Sequence, residues 1–324
     1  MVKSKKAAIK HGSKITVVMT PKKATYQHSL SVVINTFNEE VNISRALASV
    51  KNIADEIIVC DMESTDSTVN IAKKFGAKVY SHVNTGYVEP ARNFAIQKSS
   101  NEWVLLLDAD EEISVSLSEK IKQIVKTNKS DYYRIPRKNI MFGKWIKHAR
   151  WWPDYNIRLF KKDHVVWNEI IHTVPMTQGV GNDLEVLEDL AIIHHNYNSI
   201  DDYILRMNRY TSLHAKLLKK EGYEFTWTDL LAKPIGEFSS RYFFGMGYKD
   251  GLHGLALSLL QAFSELTLYL KIWQDEGFKE KEIKLDDAVS EMRQQEKTLH
   301  YWQGDSLFKE TGRMLDRVRR KFKI

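Results

Sequence analysis

Short apolar runs alternate with segments of helical periodicity in the first third of the chain. The apolar runs are LSVVINT at 30–36, EIIVC at 56–60, AKVYSHV at 77–83 and WVLLLDAD at 103–110. The segments between them, 38–50, 66–76 and 89–99, place apolar residues three or four positions apart, which is the spacing of one helix face. Strands that alternate with helices of about ten residues predict parallel βαβ units.

The pattern changes further along the chain. LSEKIKQIVK predicts a helix with Ser116 as its N-cap, and three later segments predict strands. Those segments are DYYRIPRKNIMF, NIRLFKK and AIIHHNY. From Ser199 onward the periodicity is helical. We therefore predict a basic N-terminal extension at 1–28, an α/β domain at 29–198 and a C-terminal helical region at 199–324.

Charge and composition narrow the possible functions. The 324 residues carry a formal net charge of +7, concentrated at the N-terminus and in the terminal RRKFKI. Cys60 is the only cysteine, which favours a reducing cytoplasm. Basic ends suit anionic lipid or nucleic acid, but the sequence has no zinc-ligand spacing, RNA-binding aromatic motif or helix-turn-helix pattern. We therefore predict no nucleic-acid partner.

Four carboxylates follow the fourth apolar run. A strand Val104–Leu107 would bring Asp108 and Asp110 to the carboxyl edge of a parallel sheet, where ligands bind. Hard carboxylate oxygens suit Mg²⁺ or Mn²⁺. Such an ion would offset the charge of a departing nucleoside diphosphate. An isolated Asp-x-Asp is common in solvated turns, so its position carries the inference. Glu111 and Glu112 are expected to begin the next turn in solvent.

Residues 252–270 are nearly free of charge. A membrane-spanning helix needs about 20 consecutive apolar residues, and His253, Gln261 and Glu265 interrupt this run. We therefore predict a helix that packs on the protein or lies in a membrane interface. Together with the basic ends, this predicts a cytoplasmic protein with peripheral contact to anionic lipid at the inner membrane surface.

Four segments occur in an order and spacing that resemble a known family. They are VVINTFNEEVNI, EIIVCDMESTDST, GYVEPARNFAI and WVLLLDADEEI. Together they resemble the nucleotide-binding half of family 2 glycosyltransferases, which are inverting enzymes of the GT-A fold. WWPDYNIRLFKKD, IIHTVP, IHHNYNSIDDYILRMNRYT and GYKDGLHGLALSLLQAF resemble the subgroup of lipopolysaccharide core β-glucosyltransferases. The implied fold is a Rossmann-like mixed sheet flanked by helices, with a C-terminal helical extension.

The resemblance also implies roles for particular residues. The residues at the family's nucleotide positions are Thr36, Phe37, Glu39, Asp61, Arg92 and Asp108. Asp108, Asp110 and His194 match the positions that hold the metal, Mg²⁺ or Mn²⁺, with Asp110 as its main ligand. The implied reaction transfers a hexose from a nucleotide sugar to a glycan or glycolipid acceptor, and the expected donor is a UDP-sugar.

Two departures from the family pattern leave alternatives open. Met62 and Glu63 follow Asp61 where relatives often have a second acid and a glycine, and Thr173 follows His172 where many have Glu. Inversion requires a general base. The candidates beyond the metal pair are Asp154, Glu169, His172, Glu188 and Asp189, of which we favour Glu169. A relative that binds nucleotide sugar without turnover, or a transferase that uses a GDP-sugar and a polyprenyl phosphate acceptor, would also fit.

Overall fold

The computed structural model describes residues 29–168 and 175–322, and its main feature is a mixed sheet. The first four strands are β1 Leu30–Thr36, β2 Glu56–Asp61, β3 Lys78–Ser81 and β4 Trp103–Asp108. They are parallel and lie in the order β3-β2-β1-β4. The parallel βαβ array is therefore confirmed. The N-terminal extension predicted at 1–28 lies outside the described residues.

The sheet continues beyond β4 with strands of both directions. The further strands are β5 Glu111–Glu112, β6 Tyr132–Met141, β7 Lys144–Trp145, β8 Asp154–Lys161, β9 Val165–Val166, β10 Met176–Thr177, β11 Gly181–Asp183 and β12 Ile192–Tyr197. β8 runs antiparallel to both β4 and β6, and β12 runs parallel to β6. β9 and β10 form a separate pair. The predicted mixed sheet is thus confirmed.

Helices lie on the faces of the sheet and make up most of the last third of the chain. They are α1 Ile43–Val50, α2 Thr68–Lys74, α3 Glu89–Gln97, α4 Val115–Thr127, α5 Ile200–Lys220, α6 Asp229–Ser239, α7 Leu252–Asp275, α8 Leu285–Thr311 and α9 Met314–Phe322. The predicted N-cap of α4 is wrong by two residues. Ser114 caps the helix, because its hydroxyl accepts from Leu117 N at 3.0 Å.

The central strands are buried on both faces, as expected for a parallel sheet covered by helices. All seven residues of β1 and the first five of β4 are buried. Leu105 and Leu107 pack toward α1 and α4 in one apolar cluster, while Val104 and Leu106 join a second cluster with α3. This burial makes the carboxyl edge of the strands a rigid platform for polar side chains.

The helical region is anchored to the sheet domain by polar contacts. Asp250 is buried and accepts hydrogen bonds from the backbone N–H groups of Lys147 and His148. Arg241 donates to the carbonyl of Ala149 and lies over the ring of Trp151. The prediction of a helical region is confirmed from Ile200 onward; the division into domains at residue 198 stays a prediction.

α7 is the helix with the membrane-like composition. Within the described residues it is the one helix long and apolar enough to cross a bilayer, and a third of its most apolar window is buried. Its polar groups bond to neighbouring helices: Gln261 donates to the Tyr203 hydroxyl, and Lys271 donates to the Asn208 carbonyl and the Thr211 hydroxyl. If α7 left α5 to cross a bilayer, these polar groups would lose their partners. The packing therefore favours a helix docked on α5 and α6.

Candidate active site

Polar residues from three adjacent strands meet at the carboxyl edge of the sheet. Thr36 is in register with Asp61 on β2, and Asn35 is in register with Asp108 on β4. All but Asp108 are at least nine-tenths buried. The side-chain oxygen of Thr36 and both polar atoms of Asn35 have no hydrogen-bond partner within the described residues. Unpaired buried polar atoms at a strand edge are suited to bind a polar ligand.

The loop after β1 is held against the loop after β2. Asn38 adopts a left-handed conformation with φ of 52°, and its N–H donates to the Ser64 hydroxyl. The N–H of Glu39 donates to the Thr68 hydroxyl, and Phe37 packs against the α3 side of the core. These contacts hold the segment that carries the predicted nucleotide residues Phe37 and Glu39 against the residues that follow β2.

Asp108 is bound by two arginines. Arg92 Nη2 donates to both carboxylate oxygens at 2.9 and 3.2 Å, and Arg158 Nη2 donates to Oδ2 at 2.6 Å. Burial opposes ionisation, but the positive charges of Arg158 and Arg92 outweigh it and hold the pKa of Asp108 well below its usual range. Asp108 is therefore an anion whose two oxygens are already engaged by guanidinium groups.

The expectation that Glu111 is solvated is wrong. Its side chain is fully buried and accepts from Arg158 at 2.7 Å and from Arg137 at 3.3 Å. Its other oxygen accepts from the backbone N–H of Asp108 at 2.9 Å. The cause is strand pairing, because β5 places Glu111 opposite His194 in β12. Glu112 is partly exposed and contacts His195 Nε2 at 2.9 Å.

Asp110 points to a different set of groups. Its Oδ2 lies 3.5 Å from His194 Nε2 and 3.6 Å from Arg206 Nη1, and both Asp110 and His194 are more than nine-tenths buried. Burial opposes ionisation of Asp110, and the neighbouring His194 is the main influence that lowers its pKa. The structure thus brings two of the three predicted metal ligands together and turns the third, Asp108, toward arginines.

The hydrogen bond between His194 and Asn139 determines which ring nitrogen of His194 faces Asp110. The amide nitrogen of Asn139 donates to Trp151 O and Asp154 Oδ2, so its oxygen faces His194 Nδ1 at 2.7 Å. This network assigns the proton to Nδ1. Nε2 is then the ring nitrogen that faces the Asp110 carboxylate, and a cation placed between the two side chains would be bound by both.

This pair fits a divalent cation that is shared with a substrate. The described residues contain no group of three or more His, Cys, Asp or Glu side chains arranged to hold a metal. Mg²⁺ is commonly bound by one or two protein ligands, with the remaining positions taken by phosphate oxygens and water. Asp110 and His194 supply such a partial set, and Asn139 orients the imidazole as supporting groups in metal sites do.

Glu39 adds a titratable group near this pair. Burial, followed by the negative charge of Asp110, raises the pKa of Glu39 to about 7. Its carboxylate accepts from the Asn42 amide at 2.7 Å, which opposes that rise. A cation near Asp110 would favour the ionised form of Glu39.

The proposed catalytic bases differ in where they lie. Glu169 and His172 fall outside the described residues, so the preference for Glu169 stays a prediction. Asp154 is bound by Arg137 at 2.6 Å and by Asn139, which brings it close to His194. Glu188 and Asp189 are exposed, and Glu188 pairs with Lys147. Among these described candidates, Asp154 alone lies in the buried network.

Sequence reasoning missed several residues of the site, among them Arg137 and Arg206. Arg137 on β6 bridges Glu111 and Asp154, and Arg206 on α5 faces Asp110. A signal existed for Arg206, because its segment IDDYILRMNRYT belongs to the resemblance described above. Arg137 carried no comparable signal, since a charge in an alternating strand is usually taken as solvated.

Of the two tryptophans of the WWPD segment, Trp151 packs in an apolar cluster and Trp152 contacts Trp145 edge-on.

Comparisons with known proteins found similar sequences and structures. The profile described as Glycosyl transferase family 2 matches residues 31–182. An uncharacterized glycosyltransferase of Rickettsia typhi is 34% identical over 252 residues, which are 75% of this chain and 86% of that protein. The lipopolysaccharide core biosynthesis glycosyltransferase LpsC of Rhizobium meliloti is 25% identical over 276 residues, 81% of this chain and 97% of LpsC. The structure of S. aureus TarS 1-349 with UDP has a TM-score of 0.40 at 17% identity, covering 79% and 94% of the two chains.

Taken together, the sequence relatives and the strand-edge site define the molecule as a transferase of sugars. The chain belongs to glycosyltransferase family 2.

Proposed function

We propose that the protein transfers a hexose from a UDP-sugar to a glycan or glycolipid acceptor with inversion, and that the reaction depends on a divalent cation. The observation that carries this proposal is the buried pair Asp110 and His194, whose Oδ2 and Nε2 atoms lie 3.5 Å apart, beside the strand ends that present Thr36 and Asp61. The similarity to LpsC supports an acceptor of the lipopolysaccharide core type.

Each part of the reaction has candidate residues in this arrangement. A bound Mg²⁺ or Mn²⁺ would supply Lewis-acid stabilisation of the departing diphosphate. Asp110 and His194 would hold this cation. Arg206, which lies 3.6 Å from Asp110, would add a positive charge near the diphosphate. The acceptor hydroxyl would attack the anomeric carbon from the opposite face and lose its proton to a base. Glu169 is our candidate for that base.

Nucleotide binding is the first test of this function. We expect UDP to bind the full chain in the presence of Mn²⁺, and we expect a chelator to weaken that binding at least tenfold, because the cation links Asp110 to the diphosphate. GDP is expected to bind at least tenfold more weakly than UDP. The measurement is titration calorimetry with each nucleotide, with and without Mn²⁺.

The other outcomes separate the alternatives. A preference for GDP would move the donor to a GDP-sugar and favour the polyprenyl phosphate acceptor. Tight UDP binding without turnover of any UDP-sugar would favour a binding protein that has lost catalysis. If neither nucleotide bound, the proposed donor site would be wrong. Asp163→Asn is a matched control, because Asp163 is an exposed aspartate in the turn after β8 and should bind UDP normally.

Peripheral membrane contact is a second part of the proposal. α9 carries four basic residues, while its Met314 and Leu315 are 67% and 60% exposed. Basic and exposed apolar side chains on one short helix are typical of helices that bind anionic bilayers. α7 presents Leu252 and Leu259 to solvent in the same helical region. These features support attachment at an anionic surface.

Vesicle sedimentation tests this contact. We expect the protein to sediment at low salt with vesicles of phosphatidylcholine and phosphatidylglycerol, and to stay in solution with phosphatidylcholine alone. Leu315→Ser should weaken vesicle binding several-fold, since it removes apolar area that the bilayer would bury. Leu205→Ser removes a leucine that is 71% exposed on α5 and serves as the control. Equal sedimentation of the two variants, or none for the parent protein, would contradict the proposal.

A further inference from the structure

A cavity of about 420 Å³ lies beside Asp108 on the side of the sheet formed by β8 and β6. Its volume falls within the range of small-molecule sites. The charged residues of its wall are Arg92, Arg134, Arg137, Arg158, Glu89 and Asp108. Four guanidinium groups and two carboxylates leave the wall with an excess of two positive charges. The other acids that pair with these arginines, Glu111, Asp154 and Asp183, do not line the cavity.

Two arginines of the wall have N–H donors without a hydrogen-bond partner among the described residues. Arg158 is 2% exposed, and it makes both of its hydrogen bonds through Nη2, to Asp108 and Glu111. Its Nε and Nη1 are buried without a partner among the described residues, and so is Nε of Arg92. Buried N–H donors of a charged group are costly to leave unpaired. Guanidinium groups that line a cavity favour a ligand with several acceptor oxygens, such as a phosphate or carboxylate, which matches their fork geometry.

The cavity is separate from the donor edge. Thr36, Asp61, Asp110 and His194 do not line it, whereas Asp108 and Arg92 belong to both places. In the sheet order β2-β1-β4-β8-β6, the predicted nucleotide residues Thr36 and Asp61 lie on β1 and β2, on the other side of β4. A ligand in the cavity would therefore lie next to the donor sugar, which is where an acceptor must approach.

We propose that this cavity binds the acceptor through an anionic substituent, a phosphate or a carboxylate, carried by the acceptor glycan. This inference rests on the proposed function, because it needs a donor at the neighbouring edge. Arg158 and Arg92 hold the oxyanion, and Arg134 adds a positive charge at the outer part of the wall, where its side chain is 50% exposed. A neutral glycan is then a poor acceptor, even one that carries the same reacting hydroxyl as the anionic acceptor.

The test uses inorganic phosphate as the probe, titrated into the full chain already saturated with UDP and Mg²⁺. We expect phosphate to bind under these conditions. Arg134→Gln is expected to weaken phosphate binding about tenfold, as for loss of one charge-assisted hydrogen bond, without changing UDP affinity. Arg158→Lys should weaken it similarly, because one ammonium replaces a fork of donors. Arg241→Gln is the control, since Arg241 is a half-buried, ion-paired arginine in the helical region.

Three results would overturn the inference. Phosphate that competes with UDP would assign the oxyanion site to the donor's diphosphate. Absence of phosphate binding at about ten millimolar in protein that binds UDP would show that the cavity does not take oxyanions. Equal weakening by Arg134→Gln and Arg241→Gln would place the phosphate elsewhere. A chain that binds phosphate but not UDP would refute the proposed donor site and leave the anion site standing, so the two failures are distinguishable.

Discussion

Asp110→Asn is expected to abolish turnover while the protein stays folded. The substitution keeps the shape of the side chain and removes the charge that would hold the cation between Asp110 and His194. Losing the stabilisation of a leaving diphosphate should cost about a thousandfold in kcat, or about 4 kcal/mol. The measurement is release of UDP from UDP-glucose with a lipopolysaccharide core acceptor, together with UDP binding with and without Mn²⁺.

The binding measurement makes this result specific to the cation. Asp110→Asn should bind UDP with the same weak affinity whether or not Mn²⁺ is present, whereas Asp163→Asn should keep the dependence on Mn²⁺. The midpoint of denaturant unfolding should stay close to that of the parent protein, because the amide can donate to His194 Nε2 or accept from Arg206. Normal turnover in Asp110→Asn would remove Asp110 from the mechanism.

Arg158→Met is expected to destabilise the protein by about 3–5 kcal/mol, the usual cost of breaking a buried ion pair by removing one partner. Arg158 is the shared partner of Asp108 and Glu111, at 2.6 and 2.7 Å. Without it, the fully buried Glu111 keeps a 3.3 Å ion pair with Arg137 and its hydrogen bond from the Asp108 N–H, and Asp108 keeps Arg92. The free energy of unfolding in urea measures the effect.

Arg134→Met provides the comparison for this prediction. Arg134 lies on β6 and makes an ion pair with Asp183 at 2.6 Å, but both side chains are about half exposed. Exposed pairs contribute 0–1 kcal/mol, roughly, so this variant should unfold near the parent midpoint. If Arg158→Met were as stable as Arg134→Met, the charged cluster around Asp108 would not be the buried network that its distances indicate.

The sequence determined the parallel half of the sheet and the candidate positions on it. Apolar runs and helical spacing are local patterns, and the parallel topology places Thr36, Asp61 and Asp108 at one edge wherever such strands pair. The resemblance added His194, which lies 85 residues or so along the chain from the acidic strand end, as a partner for Asp110. These predictions needed no knowledge of how the later strands pair.

The later part of the site depended on pairing that no local pattern predicts. Arg137 meets Asp154 because β6 and β8 are antiparallel in that register, and Arg158 reaches Asp108 because β8 also pairs with β4. β5 is only two residues long, yet its pairing with β12 buries Glu111. Register between distant strands is set by the whole packed sheet, so one acidic run could not reveal which of its members faces solvent.

The two aspartates of the Asp-x-Asp motif, Asp108 and Asp110, show the same division. Their spacing and their place after a buried strand identified them as the polar end of that strand, because an apolar run followed by acids can be read locally. Their separate partners were decided by the tertiary structure: Arg92 and Arg158 bind Asp108, whereas His194 and Arg206 face Asp110. Electrostatic partners come from strands and helices distant in sequence, so only the folded chain determines which carboxylate is bound by two arginines and which lies beside a histidine.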